Sequence, residues 1–532
     1  MSARRVSRGT DSGAGSGWLL VVGVVLAALT DAIASSVLAF GRSDIMGDTH
    51  ATPDEFAWLD VGYTACKLMG FLFAPWLLGR IAPRALVIGA TLLMGVACAG
   101  AALVVSLDEL VALRACQGMA GGVLLVAGQT LIFLACANGR QPLLQGLFAI
   151  GAVVAPAALV PCLQGWLIDS HDWTWIFLSV VPLTLAAVGV LLLAELPAHA
   201  PPGRRRFDGP GYILAATALL CLTYVLSQGS RWDWFEASHM RWAGVVGVAA
   251  MLLFLGQQLL SKGQGVLDFS LFRSSDFTFA FIVSFVAGAA LFGSAFVIPV
   301  FSMSVLAFTA TDAGLLLLPS GVVFIAVLLG VAYLIQMRGL APFATVPFGI
   351  LAIMIAMWML SGSTQESGMG DMMAAVMLRG AGLGLLFLSL TLIAFGKLGR
   401  YSLASGVGLF NTGRQVGGLM GVAGLQTLLD RHGVLNTQTL GAYVSPGATA
   451  VMDRLESTAT MLRHQGMDPL AAGRAAVSLL GRAVAGQGTV IAFDTAFNAV
   501  ALLFAVAAPL LVCIKVVLAR RARGAQGSPG QH

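Results

Sequence analysis

Residues 110–122 read LVALRACQGMAGG, a predominantly apolar helix that carries Arg114 and Gln117. After the turn Asn138-Gly139-Arg140-Gln141-Pro142 comes a second apolar helix, containing Pro156 and Pro161, which ends in DSHDWTW at residues 169–175. On a 3.6-residue period Arg114, Gln117, Gly118, Gly121 and Gly128 share one face. A guanidinium turned to lipid costs about 2.5–3.5 kcal/mol even on the mildest insertion scale. That face is therefore expected to look into protein or a water-filled cavity. The alternative is an arginine near the helix end that snorkels to the headgroups and only anchors its helix. A buried arginine and helix-breaking residues between two membrane spans point to transport machinery.

Hydrophobic residues make up 58 % of the chain and charged residues 10 %, with a mean hydropathy of +0.87. That balance lies far from a soluble domain and predicts an all-α polytopic membrane protein dissolved in a lipid bilayer. The net charge of +5 comes from basic residues scattered singly between apolar runs, a pattern of membrane topology and not of a nucleic-acid surface. The seven cysteines sit inside apolar runs, where no disulfide framework would be built. No His/Cys/carboxylate spacing resembles a metal site, and no nucleophile, base and orienting group cluster at one depth. No metal, no cofactor and no enzymatic activity are expected.

Apolar runs of about 20 residues, the length that crosses the hydrocarbon core, lie near 18–41, 56–79, 85–106, 109–136, 143–168, 173–195, 209–228, 241–260, 277–301, 311–335, 341–361, 371–396, 403–429 and 489–518, fourteen in all. They divide the chain into a cytoplasmic leader (1–17), an N-terminal six-helix half (18–195), a cytoplasmic linker (196–208), an inserted helix pair (209–260), a C-terminal six-helix half (261–518) with a long outside loop (430–488), and a cytoplasmic tail (519–532). With the N-terminus inside, the inside segments hold most of the arginines and lysines, among them Arg4, Arg5, Arg8, Arg80, Arg84, Arg140, Arg204, Arg205, Arg206 and Lys262. The short outside loops hold only Arg42, Arg231 and Arg241 and are otherwise acidic. An odd number of miscounted spans would break this alternation, so both termini are expected inside. In the long loop, 452–479 has helical apolar spacing, which fits either a cap over the outer mouth or a solvated hairpin.

The chain also repeats itself. Leu113-Arg114 in the fourth run precedes Gly118, Gly121 and Gly122, and Leu378-Arg379 in the twelfth precedes Gly380, Gly382 and Gly384. Spans 9–14 are therefore expected to repeat spans 1–6, with an arginine in the fourth span of each. Span thirteen places Asn411, Arg414 and Gln415 among Gly413, Gly417 and Gly421, a GxxxGxxxG face for close packing.

Several stretches together resemble the major facilitator superfamily, in its fourteen-span drug:proton antiporter branch of the EmrB/QacA type. LVALRACQGMAGG resembles that branch's fourth-span motif lxxxRxxQGxGaa. Val160-Pro161-Cys162-Leu163-Gln164-Gly165 stands where the antiporter motif GPxLGG stands, and Trp173-Thr174-Trp175-Ile176-Phe177 resembles the WRWIF that follows it. Phe207-Asp208-Gly209 resembles the FDxxG that opens span seven, and ASGVGLFNTGRQVGG at 404–418 the ASGxxNxxRQxGG of span thirteen. The resemblance implies a major facilitator fold, proton-coupled export of small molecules from a bacterial cytoplasmic (inner) membrane, and, for the EmrB type, a periplasmic adaptor protein and outer-membrane channel as partners. It also marks Pro156, Pro161 and Gly165 as the helix-gating motif and Arg80 and Arg84 as the cytoplasmic loop motif. The chain departs from the pattern there. Pro75, Gly79 and Ala82 replace the loop motif's Gly, Asp and Gly, and Val160 and Gln164 replace glycines of the antiporter motif.

Few charges lie deep in the membrane. Asp31 is about 13 residues into span one and Lys67 about 11 residues down span two, roughly mid-bilayer at 1.5 Å per residue. Such a pair is expected either to exchange a proton as water access alternates or to be a static strut between two helices. The expected proton and substrate pathway is Asp31, Lys67, Arg114, Gln117, Arg379, Asn411, Arg414 and Gln415, with Met69, Phe71, Phe292, Phe296 and Met303 as a candidate adaptable wall. The resulting expectation is a proton-coupled exporter of apolar or amphipathic compounds. A dedicated exporter or importer of one metabolite and a non-transporting sensor of the same fold remain alternatives.

Overall fold

A chain in hydrocarbon has to satisfy every backbone N–H and C=O within itself, and each apolar run of this sequence is mostly helical over its described residues. The computed structural model describes residues 12–135, 138–194, 207–261, 265–445 and 447–526. Arg4, Arg5, Arg8, Arg204, Arg205, Arg206 and Lys262, which carry part of the topology reading, lie outside them. The helices are α1 (Ser12–Phe40), α2 (Arg42–Thr49), α3 (Pro53–Leu78), α4 (Pro83–Ala101), α5 (Leu107–Ala135), α6 (Gln141–Ala149), α7 (Val160–Ser170), α8 (Thr174–Leu193), α9 (Gly209–Gln228), α10 (Ser238–Leu260), α11 (Ser275–Ser304), α12 (Ala310–Arg338), α13 (Val346–Leu360), α14 (Met369–Phe395), α15 (Arg400–Tyr443), α16 (Thr449–His464) and α17 (Pro469–Gln526). A π-helical stretch, Ile150–Leu159, joins α6 to α7 as one continuous span.

Among the described residues, thirteen helical stretches are long and apolar enough to cross a membrane. The remaining expected run, 403–429, is the first part of α15, which Asn411, Arg414 and Gln415 make more polar than the rest. The segment 430–488, expected as a long outside loop with helical spacing at 452–479, is mostly helical over its described residues. α15 continues to Tyr443, α16 follows, and α17 begins at Pro469. Asn436 Nδ2 donates to Gly488 O at 3.4 Å, tying the two long helices together at its base. α16 is mostly exposed, as a solvated hairpin would be.

α3 packs on α5, α4 on α5 and α8, and α1 on α8 and the π-helical stretch. In the second half of the chain α12 packs on α14, α13 on α14 and α17, and α11 on α17 and α15. This is one set of pairings made twice. The two sets meet along two seams, α3 with α15 and α12 with α6, the π-helical stretch and α7. α9 and α10 have no counterpart in that repeat. They pack on each other, and α9 also touches α3 and α15, with Tyr212 Oη donating to Met69 O at 3.0 Å.

The start of α9 explains the Phe207-Asp208-Gly209 motif. Asp208 caps the helix by accepting from Gly211 N at 3.0 Å, and it also accepts from Gln257 Nε2 at 2.7 Å and Gln258 Nε2 at 3.0 Å, so one carboxylate fastens α9 to α10. Burial raises its pKa, but the hydrogen bonds from Gly211, Gln258 and Gln257 outweigh that and hold the carboxyl below the usual carboxylate range.

The closest helix crossing rests on glycine. A Cβ built at Gly118 would stand 2.0 Å from Tyr63 O, and one at Gly122 would stand 2.3 Å from Lys67 O, so α5 reaches the backbone of α3 only because neither position has a side chain. Gly118→Val is expected to destabilise the fold by about 1–3 kcal/mol or more, as overpacking does. Gly433→Val, where no atom lies within 4 Å, is the control. Size-exclusion profiles of detergent extracts after a heating series check it: the first variant should lose its monodisperse peak at lower temperature, and the second should follow the parent.

Candidate functional site

Four polar residues recur on one face of α3, at Asp60, Tyr63, Thr64 and Lys67, and they meet Asp31 on α1 and Arg114 on α5. Lys67 Nζ lies 2.8 Å from Asp31 Oδ2, while Tyr63 Oη donates to Asp31 Oδ1 at 2.8 Å. Lys67 Nζ also reaches Tyr63 Oη at 3.3 Å. The Arg114 guanidinium lies over the Tyr63 ring, 4.2 Å from its centroid. Its Nη1 donates to Ala34 O at 2.6 Å and to Gln117 Oε1 at 3.0 Å. Gln117 Nε2 in turn donates to Ala97 O at 3.2 Å, which ties the cluster to α4. Asp60 supplies a second carboxylate within the field of Arg114.

All of this is interior: Arg114 and Gln117 are fully buried, Asp31 is 3 % exposed and Lys67 6 %. Arg114 is therefore not a snorkelling anchor. Its helix presents glycine where the cluster needs room, since a Cβ at Gly121 would fall 1.9 Å from Asp31 Oδ1. Gln164, which replaces a motif glycine, is fully buried and donates from Nε2 to Ile33 O at 2.9 Å. The substitution adds a second grip on α1, beside the one Arg114 makes at Ala34.

The expected residues of the second half form a different arrangement. Arg379 is 1 % exposed, donates from Nε to Ser294 Oγ at 2.7 Å, and has no hydrogen-bond partner for Nη1 or Nη2. Arg414 is half-buried. Its Nη2 donates to Asn411 Oδ1 at 2.6 Å and its guanidinium lies 5.2 Å from the centroid of Phe387. Asn411 Nδ2 donates across the seam to Gln129 Oε1 at 3.3 Å, and Gln129 Nε2 to Gln145 Oε1 at 3.4 Å. A polar chain thus runs from α15 through α5 to α6. Gln415 is half-buried on α15 and is not joined to this chain.

Helix packing corrects the register of the repeat. Gly118 and Gly122 approach the carbonyls of Tyr63 and Lys67, and the equivalent crossing of α14 on α12 places Gly380 and Gly384 against those of Ser320 and Phe324. Matching the glycines puts Arg379 opposite Gln117, three residues from Arg114. The local Leu-Arg match misled because an arginine one turn away falls on the same helix face.

The motif residues at the seams and helix ends divide. The irregularity of span five is the π-helical stretch Ile150–Leu159, which contains Pro156. Pro161 follows two residues after the end of that stretch, inside the continuous span, so its missing N–H removes one bond from the ladder there. Gly165 lets α7 meet α12: a Cβ there would stand 2.3 Å from Ala310 O. Arg84 donates from Nε to Leu191 O at 2.9 Å and from Nη2 to Leu192 O at 2.8 Å, capping the end of α8. Arg80 is exposed and stacks on Trp76 at 4.2 Å. Of the candidate wall, Phe71 is core at 1 % exposed, Met69, Phe292 and Phe296 are half-buried, and Met303 is 38 % exposed.

The sequence profile of the Major Facilitator Superfamily matches residues 20–422. The chain belongs to that superfamily. This facilitator is 25 % identical to multidrug export protein EmrB of Escherichia coli K12, over 82 % of its own length and 86 % of that protein. It is 24 % identical to fatty acid resistance protein FarB of Neisseria gonorrhoeae, over 94 % and 96 %. Among solved structures it is similar in fold to the human organic anion transporter MFSD10, with a TM-score of 0.55 at 11 % identity, covering 92 % of this chain and 99 % of that one. The superfamily consists of transporters and not enzymes.

The ion pair of this facilitator yields a stability test. Removing one partner of a buried pair costs about 3–5 kcal/mol because the other charge is left alone. Asp31→Asn and Lys67→Met are each expected to lower the thermal midpoint of the purified protein, and the double variant to recover most of the loss. Dye-monitored melting checks this; a double variant as unstable as the sum of the two singles would show that the charges are not coupled.

Proposed function

We propose that this facilitator is a proton-coupled exporter of apolar and amphipathic small molecules across a bacterial cytoplasmic membrane, with Asp31 as the proton carrier. The observation that supports this is the Lys67–Asp31 contact of 2.8 Å, closed by Tyr63 inside an apolar bundle. Both carboxylate oxygens of Asp31 accept from α3, so a proton arriving at Asp31 competes directly with the Lys67 ammonium. Protonation weakens the α1–α3 contact, and deprotonation restores it. That converts proton occupancy into a difference in helix packing, which a coupled transporter requires. Arg114 holds α1 at Ala34 and is not the carrier, because a guanidinium does not titrate near neutral pH.

The expected division into two six-helix halves and an inserted pair, 18–195, 261–518 and 209–260, belongs to the same reading. The two halves rock about the seams, and substrate occupies the space between them near the midplane. The helical projection at 430–488 supplies a surface outside the membrane for a periplasmic adaptor and, through it, an outer-membrane channel, partners of the kind the EmrB resemblance implies.

The test uses the full-length protein reconstituted alone in liposomes with a trapped pH-sensitive dye, and a panel of amphipathic probes of either charge. Probe addition to the parent should release protons from acid-loaded vesicles. Asp31→Asn keeps the size of the side chain but cannot ionise, so it should reduce that flux to the level of empty vesicles while equilibrium probe binding persists. Undiminished flux in Asp31→Asn would remove Asp31 from the proposal, and probe binding with no flux in the parent would overturn proton-coupled export.

A further inference from the structure

The two central clusters differ in charge balance. On the first side Asp31 and Asp60 stand with Lys67 and Arg114, two acids against two bases. On the second, no acid among the described residues pairs with Arg379 or Arg414. Asp276 pairs with Lys397 at 2.6 Å. Asp312, Glu366 and Asp371 lie in the first turns of helices or in connecting segments. Asp494, on α17, has a buried Oδ1 with no hydrogen-bond partner of its own. Among the described residues neither arginine is in an ion pair.

Each guanidinium also has donors to spare. Arg379 leaves Nη1 and Nη2 unpartnered in a side chain that is 1 % exposed. Arg414 uses Nη2 on Asn411, and it is half-buried while its neighbours Asn411, Phe387 and Gln129 are 3 %, 5 % and 6 % exposed. Thr412, Gln415 and Val416 on the same stretch of α15 are likewise half-buried, so the seam is not fully closed around Arg414. The eight residues from Phe387, under Arg414, to Arg379 correspond to about 12 Å along α14. Both positive charges therefore border one stretch of that helix. An uncompensated guanidinium at this depth is costly, and its planar fork suits a carboxylate, which it holds with two parallel N–H···O bonds.

We propose that Arg414 is the anchor for the charged end of the transported molecule, and that this end is anionic: an amphipath with an apolar body and one carboxylate, drawn in by the field of Arg379. The sign of the charge comes from this chain's own residues; that the site is a substrate site rests on the transport reading above. A cationic amphipath would meet two unpaired arginines and no acid, so it should be disfavoured.

The experiment is calorimetric binding to the full-length protein in zwitterionic nanodiscs, with empty nanodiscs subtracted, at pH 8 and without a proton gradient. The probes are dodecanoate, 1-dodecanol and dodecyltrimethylammonium. The parent should bind dodecanoate about tenfold or more tightly than either of the others, as expected for a charge-assisted fork. Arg414→Gln should abolish that preference, and Arg414→Lys should keep part of it. Equal binding of the three probes, tighter binding of the cation, or an undiminished preference in folded Arg414→Gln would each overturn the proposal. If Arg414→Gln does not fold, the order of affinities in the parent decides alone. Binding is read without flux, so failure of proton coupling leaves the anion site standing, and loss of the carboxylate preference leaves proton coupling standing.

Discussion

In hydrocarbon a charge needs a partner within the protein, and the Asp31–Lys67 contact is where this molecule meets that demand most completely. The pair determines what surrounds it. Gly121 has to lack a side chain because Asp31 Oδ1 occupies the place of its Cβ, and Gly118 and Gly122 have to lack one because α5 lies directly on the α3 backbone that carries Tyr63 and Lys67. Tyr63 fills the remaining side of the carboxylate and offers its ring to Arg114. An ion pair of this kind contributes little net stability compared with an apolar packing of equal volume. Its place in the middle of an otherwise apolar bundle fits the proton exchange proposed above.

Much of this was legible in the sequence because membrane insertion is governed by two simple quantities, apolar length and the sidedness of basic residues. The helices fall where the apolar runs fall, and Asp31 meets Lys67 as their matching depths required. Tyr63 and Asp60 were missed although they lie one and two turns from Lys67 on the same face of α3. Periodicity displays such a stripe, but a tyrosine in an apolar run looks like packing until its hydroxyl has a partner. Gln129 and Gln145 were missed for a different reason. Their partner Asn411 is distant in the chain, and pairing across a seam leaves no mark on local spacing. In 430–488 the apolar spacing of 452–479 already showed helix, but the continuation of the two flanking spans as helix beyond the membrane was missed, because polar composition alone does not distinguish a loop from a solvated helix.

The register of the repeat shows how far a motif can mislead while its chemistry stays correct. Leu-Arg followed by glycines occurs in both α5 and α14, yet the glycines, which touch backbone, define the true equivalence and place Arg379 opposite Gln117. Backbone contact tolerates no shift, since a Cβ at Gly380 would stand 2.2 Å from Ser320 O. A guanidinium on a long side chain tolerates a shift of one turn. The consequence is chemical: on α5 the cation lies near one carboxylate of α3, Asp60, and one of α1, Asp31, whereas on α14 the same face meets Ser294 and Ser320.

That asymmetry bears on the eroded motifs as well. Where the antiporter pattern has a glycine, this chain has Gln164, and its amide holds α1 at Ile33, one residue from the carbonyl that Arg114 holds. A glycine there would allow α7 to slide on α1; a buried glutamine ties them. The neighbouring Gly165 keeps its close approach to Ala310, and Thr311 N donates to Asp169 Oδ2 at 2.8 Å at the end of the same seam. α7 is thus bound to α1 on one face and to α12 on the other, and the helix that can yield between them is the π-helical stretch preceding it, where Pro156 already disrupts the regular ladder. In the proposed transport reading, motion between the two helix sets concentrates at Ile150–Leu159, which packs on α1, the helix of Asp31. In that reading a change of charge at Asp31 and a change of shape at Pro156 act on the same helix, α1, and couple the proposed proton site to the seam without any motif glycine.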